Sequence, residues 1–237
     1  MSAIRKSFWP KIRHLFQKIE SYLWGVELKK EESKYSGTLS LWLVNGRLVL
    51  NTQNTNYAFD DLYRIFQQAL HRLPAIRDKD DKILILGLGV GSVVHILRKE
   101  LQLPNPITGV EVEKPVLELG KQYFGLNEFD ALQICQADAY QWIQGEVGSF
   151  SYIVVDIFHD LEVPDEVLSE AFIHHVADSL ASNGTVLWNT IPTKKNEKKL
   201  KKAVSLFWIY FQKVQKWDIL GNIVWVLEAP QTNQAGV

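Results

Sequence analysis

From Lys82 onward, short apolar runs alternate with segments in which apolar residues recur at helical spacing. The apolar runs predict strands: ILIL, ITGVEVE, LQICQADA, SYIVVDIF, TVLWNTI and NIVWVLE. Between them the helical spacing predicts helices over about 93–101, 114–124, 139–145, 165–182 and 197–213. Buried strands separated by helices indicate an α/β fold with a mostly parallel sheet and helices on both faces.

Before this region the apolar period is two. Leu39, Leu41 and Leu43 alternate with Ser40 and Trp42. Asn45-Gly46 then separates this run from the next alternating pair, Leu48 and Leu50. Asn-Gly between two alternating runs is a strong hairpin signal, because both turn positions need positive φ. The sequence therefore predicts a β-hairpin, followed by a helix over 59–73.

Residues 4–24 carry apolar side chains at helical spacing, interspersed with basic ones. Such a helix can lie on a membrane surface, but we favour docking on its own domain or on a partner subunit. Gly25 is expected to end it, and the charged stretch 27–34 is predicted to be a linker. The pattern thus divides the chain into 1–35 (helix and linker), 36–77 (hairpin and helix) and 78–237 (α/β domain).

Composition excludes several classes of protein. The chain has 237 residues, 46% of them hydrophobic and 22% charged, which is an ordinary globular mixture. Its net charge of -1 argues against a cationic nucleic-acid binder, and its single cysteine excludes an internal disulfide or a multi-cysteine metal site. We find no apolar run long enough to span a bilayer and no secretory signal. We therefore expect a cytoplasmic protein without a membrane or nucleic-acid partner.

A glycine-rich turn follows the first strand of the α/β region. Gly87, Gly89 and Gly91 allow a tight turn and a close approach of the backbone to a ligand. The dinucleotide fingerprint requires a further glycine where Ser92 stands, so NAD is disfavoured. The alternative is a tight strand-to-helix turn that binds nothing.

Acidic residues stand at the ends of the next three strands. A carboxylate at Glu111 is suited to accept hydrogen bonds from both ribose hydroxyls of a nucleoside. Asp138 is suited to an adenine amino group, with helix capping as the alternative. A bound nucleoside would account for Glu111 and Asp138 but not for Asp156. Asp156 stands nearest to the expected reacting end of the ligand, so it is the candidate catalytic residue. Glu113, two residues beyond Glu111, is predicted to be solvated.

These motifs together resemble the spermidine synthase family. The resemblance covers roughly residues 38 to 228 and is carried by LSLWLVNGRLVLNTQ, ILILGLGVGSVV, ITGVEVE, LQICQADA and FSYIVVDIF. It implies the class I S-adenosylmethionine-dependent methyltransferase (Rossmann-like) fold, preceded by an N-terminal helix and a small β-hairpin region. It also implies a nucleoside sulfonium donor along the three glycines, its ribose at Glu111, its adenine at Asp138 and catalysis by Asp156.

The chain departs from the family on the side that holds the amine. The family's glycine-loop aspartate, which binds the donor's amino group, is replaced by Val90. The family's acidic pair is replaced by Thr55 and Asn56, and its hairpin glutamine by Leu50. The remaining acceptor-side candidates are Asp60, Asp61, His159 and Asp160.

The sequence therefore predicts a transferase that uses S-adenosylmethionine or its decarboxylated form as cosubstrate, with a small-molecule acceptor that is an amine under one hypothesis. Because of Val90 and the lost acidic pair, methyl transfer is slightly favoured over aminopropyl transfer to a polyamine. A non-catalytic binding or assembly protein on the same fold is the third hypothesis. We expect a homodimer and no metal, since His174 and His175 point about 100° apart on a helix.

Overall fold

A computed structural model describes residues 18–52, 56–58, 61–73, 78, 80–145, 148–159 and 162–231. Most of the N-terminal segment predicted to be helical therefore lies outside the described residues. Among the described residues, no helix is both long and apolar enough to cross a membrane.

The first four described strands form a small antiparallel sheet in the order β1-β2-β3-β4. Its strands are β1 (Val26–Ser33), β2 (Gly37–Val44), β3 (Arg47–Asn51) and β4 (Asn56–Ala58). The predicted hairpin joins β2 to β3, and Asn45 and Gly46 have φ of 50° and 72°. The prediction of a linker over 27–34 was wrong, because this segment is β1. Its charged side chains are tolerated because β1 is the edge strand of the sheet.

The second sheet has seven strands in the order β10-β11-β9-β8-β5-β6-β7. They are β5 (Ile83–Leu86), β6 (Ile107–Glu111), β7 (Leu132–Gln136), β8 (Phe150–Val155), β9 (Leu180–Thr190), β10 (Phe211–Ile219) and β11 (Asn222–Pro230). The five strands from β9 to β7 are parallel, whereas β11 is antiparallel to both of its neighbours. The mostly parallel α/β prediction is confirmed.

The described helices are shorter than the sequence pattern predicts. They are α1 (Asp61–Arg72), α2 (Ser92–His95, continued by a π-helical turn Ile96–Glu100), α3 (Lys114–Tyr123), α4 (Ala139–Trp142), α5 (Glu170–Asp178) and α6 (Glu197–Tyr210). The helix predicted to reach residue 213 ends at Tyr210, and β10 follows at once. The sequence pattern missed β10 because its alternating polar residues suit an exposed edge strand as well as a helix surface.

Three apolar clusters hold these layers together. Two lie on opposite faces of the seven-stranded sheet, and Trp188 and Trp225 are buried in one of them. The third cluster joins the small sheet to the α/β domain, where Leu39 and Leu41 pack with Val90 and Phe124. The small sheet is therefore fixed beside the glycine-rich turn, at the edge where parallel strands end.

Candidate functional site

A cavity of about 290 Å³ opens at the carboxyl ends of the parallel strands. Strand β5 lies between β8 and β6, so later strands are added first on one side of β5 and then on the other. Open α/β sheets bind ligands at such a switch point. Seventeen residues line the cavity, and they include five of the predicted site positions, Gly87, Glu111, Asp138, Asp156 and His159.

The three glycines of the glycine-rich turn have different roles. Gly87 lines it with φ of 89°, and a Cβ there would lie 2.2 Å from the backbone oxygen of Asp156. The Gly89 N–H donates to Glu111 Oε2 at 2.8 Å. Gly91 is the N-cap of α2, and a Cβ there would meet Leu126. Only Gly87 therefore faces the cavity, and the other two glycines shape the turn behind it.

Glu111 is a buried carboxylate held by the backbone. Its Oε1 accepts from the Glu113 N–H at 3.0 Å, and its Oε2 accepts from Gly89. Burial raises the pKa of Glu111 to about 7, backbone hydrogen bonds to its carboxyl oppose this, and the nearby Glu113 carboxyl adds to it. Each oxygen keeps a lone pair for a ligand hydroxyl, so the geometry is suited to a ribose.

Glu113 was predicted to be solvated, and this was wrong. Only 5% of it is exposed, and its Oε1 accepts a short hydrogen bond from the hydroxyl of Ser36. Its Oε2 is buried without a hydrogen-bond partner among the described residues. Sequence spacing could not show this, because Ser36 lies 77 positions away in the turn between β1 and β2.

Asp138 both caps a helix and lines the cavity, which are the two roles that the sequence left open. It is the N-cap of α4, where its Oδ1 accepts from the Gln141 N–H at 2.9 Å, and it also lines the cavity. Its second oxygen is thus the one with capacity for a ligand amino group.

Asp156 lies directly after β8 and is partly exposed to the cavity. Its Oδ1 accepts from Asn189 Nδ2–H at 2.9 Å. Burial raises the pKa of Asp156 to about 6, and the Asn189 hydrogen bond opposes this rise. The carboxylate is therefore ionised at neutral pH and close enough to its pKa to exchange a proton, as a general base requires. The sequence pattern did not identify Asn189.

The acceptor side is described only in part. His159 lines the cavity and stacks on Tyr35, with ring centroids 4.8 Å apart. Tyr35, which the sequence pattern did not single out, brings the β1–β2 turn into the cavity wall. Asp60 and Asp160 lie outside the described residues, and Asp61 begins α1 with its side chain outside them.

The cavity is strongly acidic. Five carboxyl groups line it: Glu111, Glu113, Asp138, Asp156 and Glu166. Among the described residues that line it, none is lysine or arginine, and His159 is the single basic side chain. A ligand that neutralises this set carries positive charge.

Val90 does not face this cavity. It is 1% exposed and packs in the apolar cluster between the small sheet and α3. The residue that replaces the family's aspartate thus contributes to the contact between the two sheets rather than to ligand binding.

A second group of ionisable residues lies on α5, apart from the cavity lining. The sequence predicts that His174 and His175 diverge, but potential ligand atoms of His174, His175 and Asp178 lie within 4.8 Å of one another. His174 Nδ1 is already paired with Asp178 Oδ2 at 3.0 Å.

Comparison with known proteins finds relatives of the kind that the sequence motifs resemble. No protein-family model matches the chain. A probable polyamine aminopropyl transferase of Bifidobacterium longum is 23% identical over 188 residues, which are 77% of this chain and 42% of that protein. A polyamine aminopropyltransferase of Vibrio vulnificus is 29% identical over 120 residues, 49% of this chain and 40% of that protein. The chain thus spans about two fifths of the length of these relatives.

Solved structures add the fold. A spermidine synthase in complex with the transition-state analogue AdoDATO has a TM-score of 0.70 at 16% identity, covering 86% of this chain and 73% of that one. A probable spermidine synthase from Corynebacterium glutamicum has a TM-score of 0.66 at 20% identity, covering 84% and 79%. The fold is that of the spermidine synthases. Human methyltransferase-like protein 13, solved with SAH, also matches, with a TM-score of 0.58 at 19% identity over 76% and 86% of the two chains.

Proposed function

We propose that this protein transfers an aminopropyl group from decarboxylated S-adenosylmethionine to an amine. The observation that carries the proposal is the acidic cavity, with five carboxyl groups and, among its described lining residues, no lysine or arginine. Both reactants are cations, one a sulfonium that also bears an ammonium group and the other an amine protonated in solution. Methyl transfer, which the sequence slightly favoured, receives less support from the comparisons than its alternative.

The absence of basic side chains from the described lining also bears on the choice of donor. S-adenosylmethionine carries a carboxylate that would have to lie among these acidic groups without a lysine or arginine as partner. The decarboxylated donor lacks that group, so it avoids the repulsion. We therefore expect the decarboxylated form to bind more tightly.

The chemistry needs positioning and one base. The nitrogen of the acceptor attacks the aminopropyl carbon attached to the sulfonium and forms a C–N bond. The C–S bond breaks, and its electron pair goes to sulfur, which leaves as neutral methylthioadenosine. Asp156, ionised above its pKa of about 6, accepts the proton that the ammonium group of the acceptor must lose before its nitrogen can attack. Glu111 and Asp138 hold the ribose and the adenine of the donor.

The deciding experiment is a donor and acceptor panel with chromatographic detection of the nucleoside product. Decarboxylated S-adenosylmethionine and S-adenosylmethionine are each incubated with putrescine, cadaverine, spermidine and buffer alone. We expect methylthioadenosine to form with the decarboxylated donor and at least one amine. Formation of S-adenosylhomocysteine from the carboxylated donor would instead establish methyl transfer, and binding of both donors without product would favour the non-catalytic hypothesis.

One observation favours methyl transfer as the second candidate. Val90 is buried and apolar, so the glycine-rich turn offers no carboxylate to the donor's ammonium group at that position. A competition measurement separates the two candidates, because an aminopropyl transferase binds the decarboxylated donor in preference to S-adenosylmethionine despite Val90.

A further inference from the structure

Two buried asparagines lie behind Asp156 in a single hydrogen-bonded row. Asn222 Nδ2–H donates to Asn189 Oδ1 at 2.9 Å, and Asn189 Nδ2–H donates to Asp156 Oδ1 at 2.9 Å. Asn189 is 1% exposed and Asn222 is 8% exposed. Asn222 is absent from the residues that line the cavity, so it reaches the site only through Asn189.

The fold fixes Asn222 in this place. A two-residue turn, Leu220-Gly221, joins β10 to β11 with φ of 52° and 87° at its two positions. Asn222 is the first residue of β11 and pairs with Ile219 across the turn. Strand β11 in turn pairs with β9, where Val224 is the direct partner of Asn189. The hairpin that the sequence pattern missed therefore delivers a polar side chain to the back of the site.

The row has a direction. An asparagine amide can present either its oxygen or its nitrogen to a neighbour, and the surrounding hydrogen bonds select the orientation. Asn222 donates a hydrogen bond to the side-chain oxygen of Asn189. The side-chain N–H groups of Asn189 therefore face Asp156. Asp156 Oδ1 is then an acceptor in both ionisation states, and a proton gained from a substrate must go to Oδ2.

We propose that Asn222 is a positioning residue for the base, acting through Asn189 to keep Asp156 ionised and to reserve its Oδ2 for the proton of the acceptor. The inference rests on the proposed role of Asp156, but ionisation of Asp156 can be measured without any turnover. The Asn189 hydrogen bond favours the charged form, so loss of its direction raises the pKa of Asp156.

Other ionisable groups share the cavity and must be separated from Asp156 in any titration. They are Tyr35 from the β1–β2 turn, Glu111 and Glu113 at the end of β6, Asp138 and Tyr140 around α4, and His159 and Glu166 after β8. Glu111 has a pKa of about 7, which overlaps the range in which Asp156 titrates. A bulk pH profile therefore does not suffice, and the Asp156 carboxyl has to be observed individually.

The test is a carboxyl ¹³C NMR titration of protein labelled at aspartate, with the Asp156 signal assigned by its loss in Asp156→Asn. Asn222→Asp and Asn222→Leu are compared with the unsubstituted chain. In Asn222→Asp the new carboxylate attracts the N–H groups of Asn189 and turns its oxygen toward Asp156. We expect the pKa of Asp156 to rise by about one unit or more in Asn222→Asp, and by less in Asn222→Leu.

The matched control is Thr190→Val, the next residue of β9. Thr190 is fully buried, donates to the backbone oxygen of Ile223 at 3.0 Å and accepts from Trp225 at 3.1 Å. Its replacement removes buried hydrogen bonds between the same two strands but none to Asp156. We expect Thr190→Val to lower the melting temperature and to leave the pKa of Asp156 unchanged.

A measurement on the unsubstituted chain tests the same inference even if the variants do not fold. The side-chain ¹⁵N–H signals of Asn189 should shift with the midpoint of the Asp156 titration, and those of Asn222 should follow with a smaller amplitude. An unchanged pKa in folded Asn222 variants, or amide signals that ignore the titration, overturns the inference. If no amine supports turnover but the pKa shifts as expected, the proposed function fails and the positioning role stands.

Discussion

The backbone oxygen of Asp156 occupies the space that a side chain at Gly87 would need, since a Cβ there would lie only 2.2 Å from it. Gly87 directly follows β5, and Asp156 directly follows the adjacent parallel strand β8. The first glycine of the turn thus sets how closely the candidate base approaches the donor site. Glycine is required here for close approach as well as for its φ of 89°.

Gly87→Ala should therefore lower the free energy of unfolding by more than backbone strain alone would. Gly148 has a similar φ of 83°, and a Cβ added there would meet nothing within 4 Å, so Gly148→Ala isolates the cost of the left-handed conformation, about 1–2 kcal/mol. Gly87→Ala adds displacement of the Asp156 backbone, for a total of about 3 kcal/mol or more. Denaturant unfolding of both variants checks this, and equal losses of stability would contradict the steric argument.

Asp156→Asn should separate stability from function. The folded protein raises the pKa of this carboxyl from 3.8 to about 6. The folded state therefore holds a proton that the unfolded chain has lost, and stability falls as pH rises through this window. Asparagine removes the penalty, so the variant should be more stable above pH 6 by about 1–2 kcal/mol, allowing for partial exposure, and the difference should vanish near pH 4.

The same Asp156→Asn substitution should lower turnover although it raises stability. Asparagine retains the shape of the side chain but accepts no proton, and a general base contributes about 10²–10⁴-fold in rate. Affinity for methylthioadenosine should stay within about threefold. Melting temperature, calorimetry and turnover on one preparation test all three expectations, and a variant that keeps its rate per folded molecule would remove Asp156 from the chemistry.

Glu111→Ala should weaken methylthioadenosine binding by at least about tenfold, because charge-assisted hydrogen bonds contribute about 1.5–3 kcal/mol each. Glu118→Ala is the control, since Glu118 is an exposed residue of α3 paired with Lys114 at 3.7 Å. The pKa of Glu111 is about 7, so ionisation should strengthen binding as pH rises from 6 to 8. Calorimetry is done in the Asp156→Asn background, so that the titration of Asp156 does not overlap that of Glu111. An affinity that does not change between pH 6 and 8 would place the ribose elsewhere.

The sequence predicted the site where a local pattern imposes the geometry. Gly87, Glu111, Asp138 and Asp156 stand at or just after the ends of consecutive parallel strands, and the carboxyl ends of such strands meet at one edge of a sheet. The two-residue hairpin turn at Asn45 follows from the same kind of short-range signal. These features need no information about distant contacts.

The residues that the sequence did not predict depend on distant contacts. Ser36 meets Glu113 across 77 positions, and Asn189 meets both Asp156 and Asn222 across 33 positions in each direction. Neither Ser36 nor the two asparagines belong to a motif that is recognisable in the sequence. Their roles arise only when the small sheet and the β10–β11 hairpin pack against the strand ends.

Ser36→Ala tests whether the β1–β2 turn is part of the site. The substitution removes the hydrogen bond to the buried Glu113 carboxyl and should cost about 1–3 kcal/mol of stability. Ser205→Ala is the control, because Ser205 donates to the Lys201 carbonyl on an exposed helix face and should change stability little.

The same turn carries Tyr35 into the cavity wall against His159, so Ser36→Ala should also weaken methylthioadenosine binding. A double-mutant cycle with Glu113→Gln separates the pairwise contact from other effects of each substitution. We expect a coupling free energy of about 0.5–3 kcal/mol in unfolding and a coupled effect on nucleoside affinity. Additive losses in both measurements would show that the turn and the Glu113 carboxyl act independently, and the turn would then be a neighbour of the site rather than a part of it.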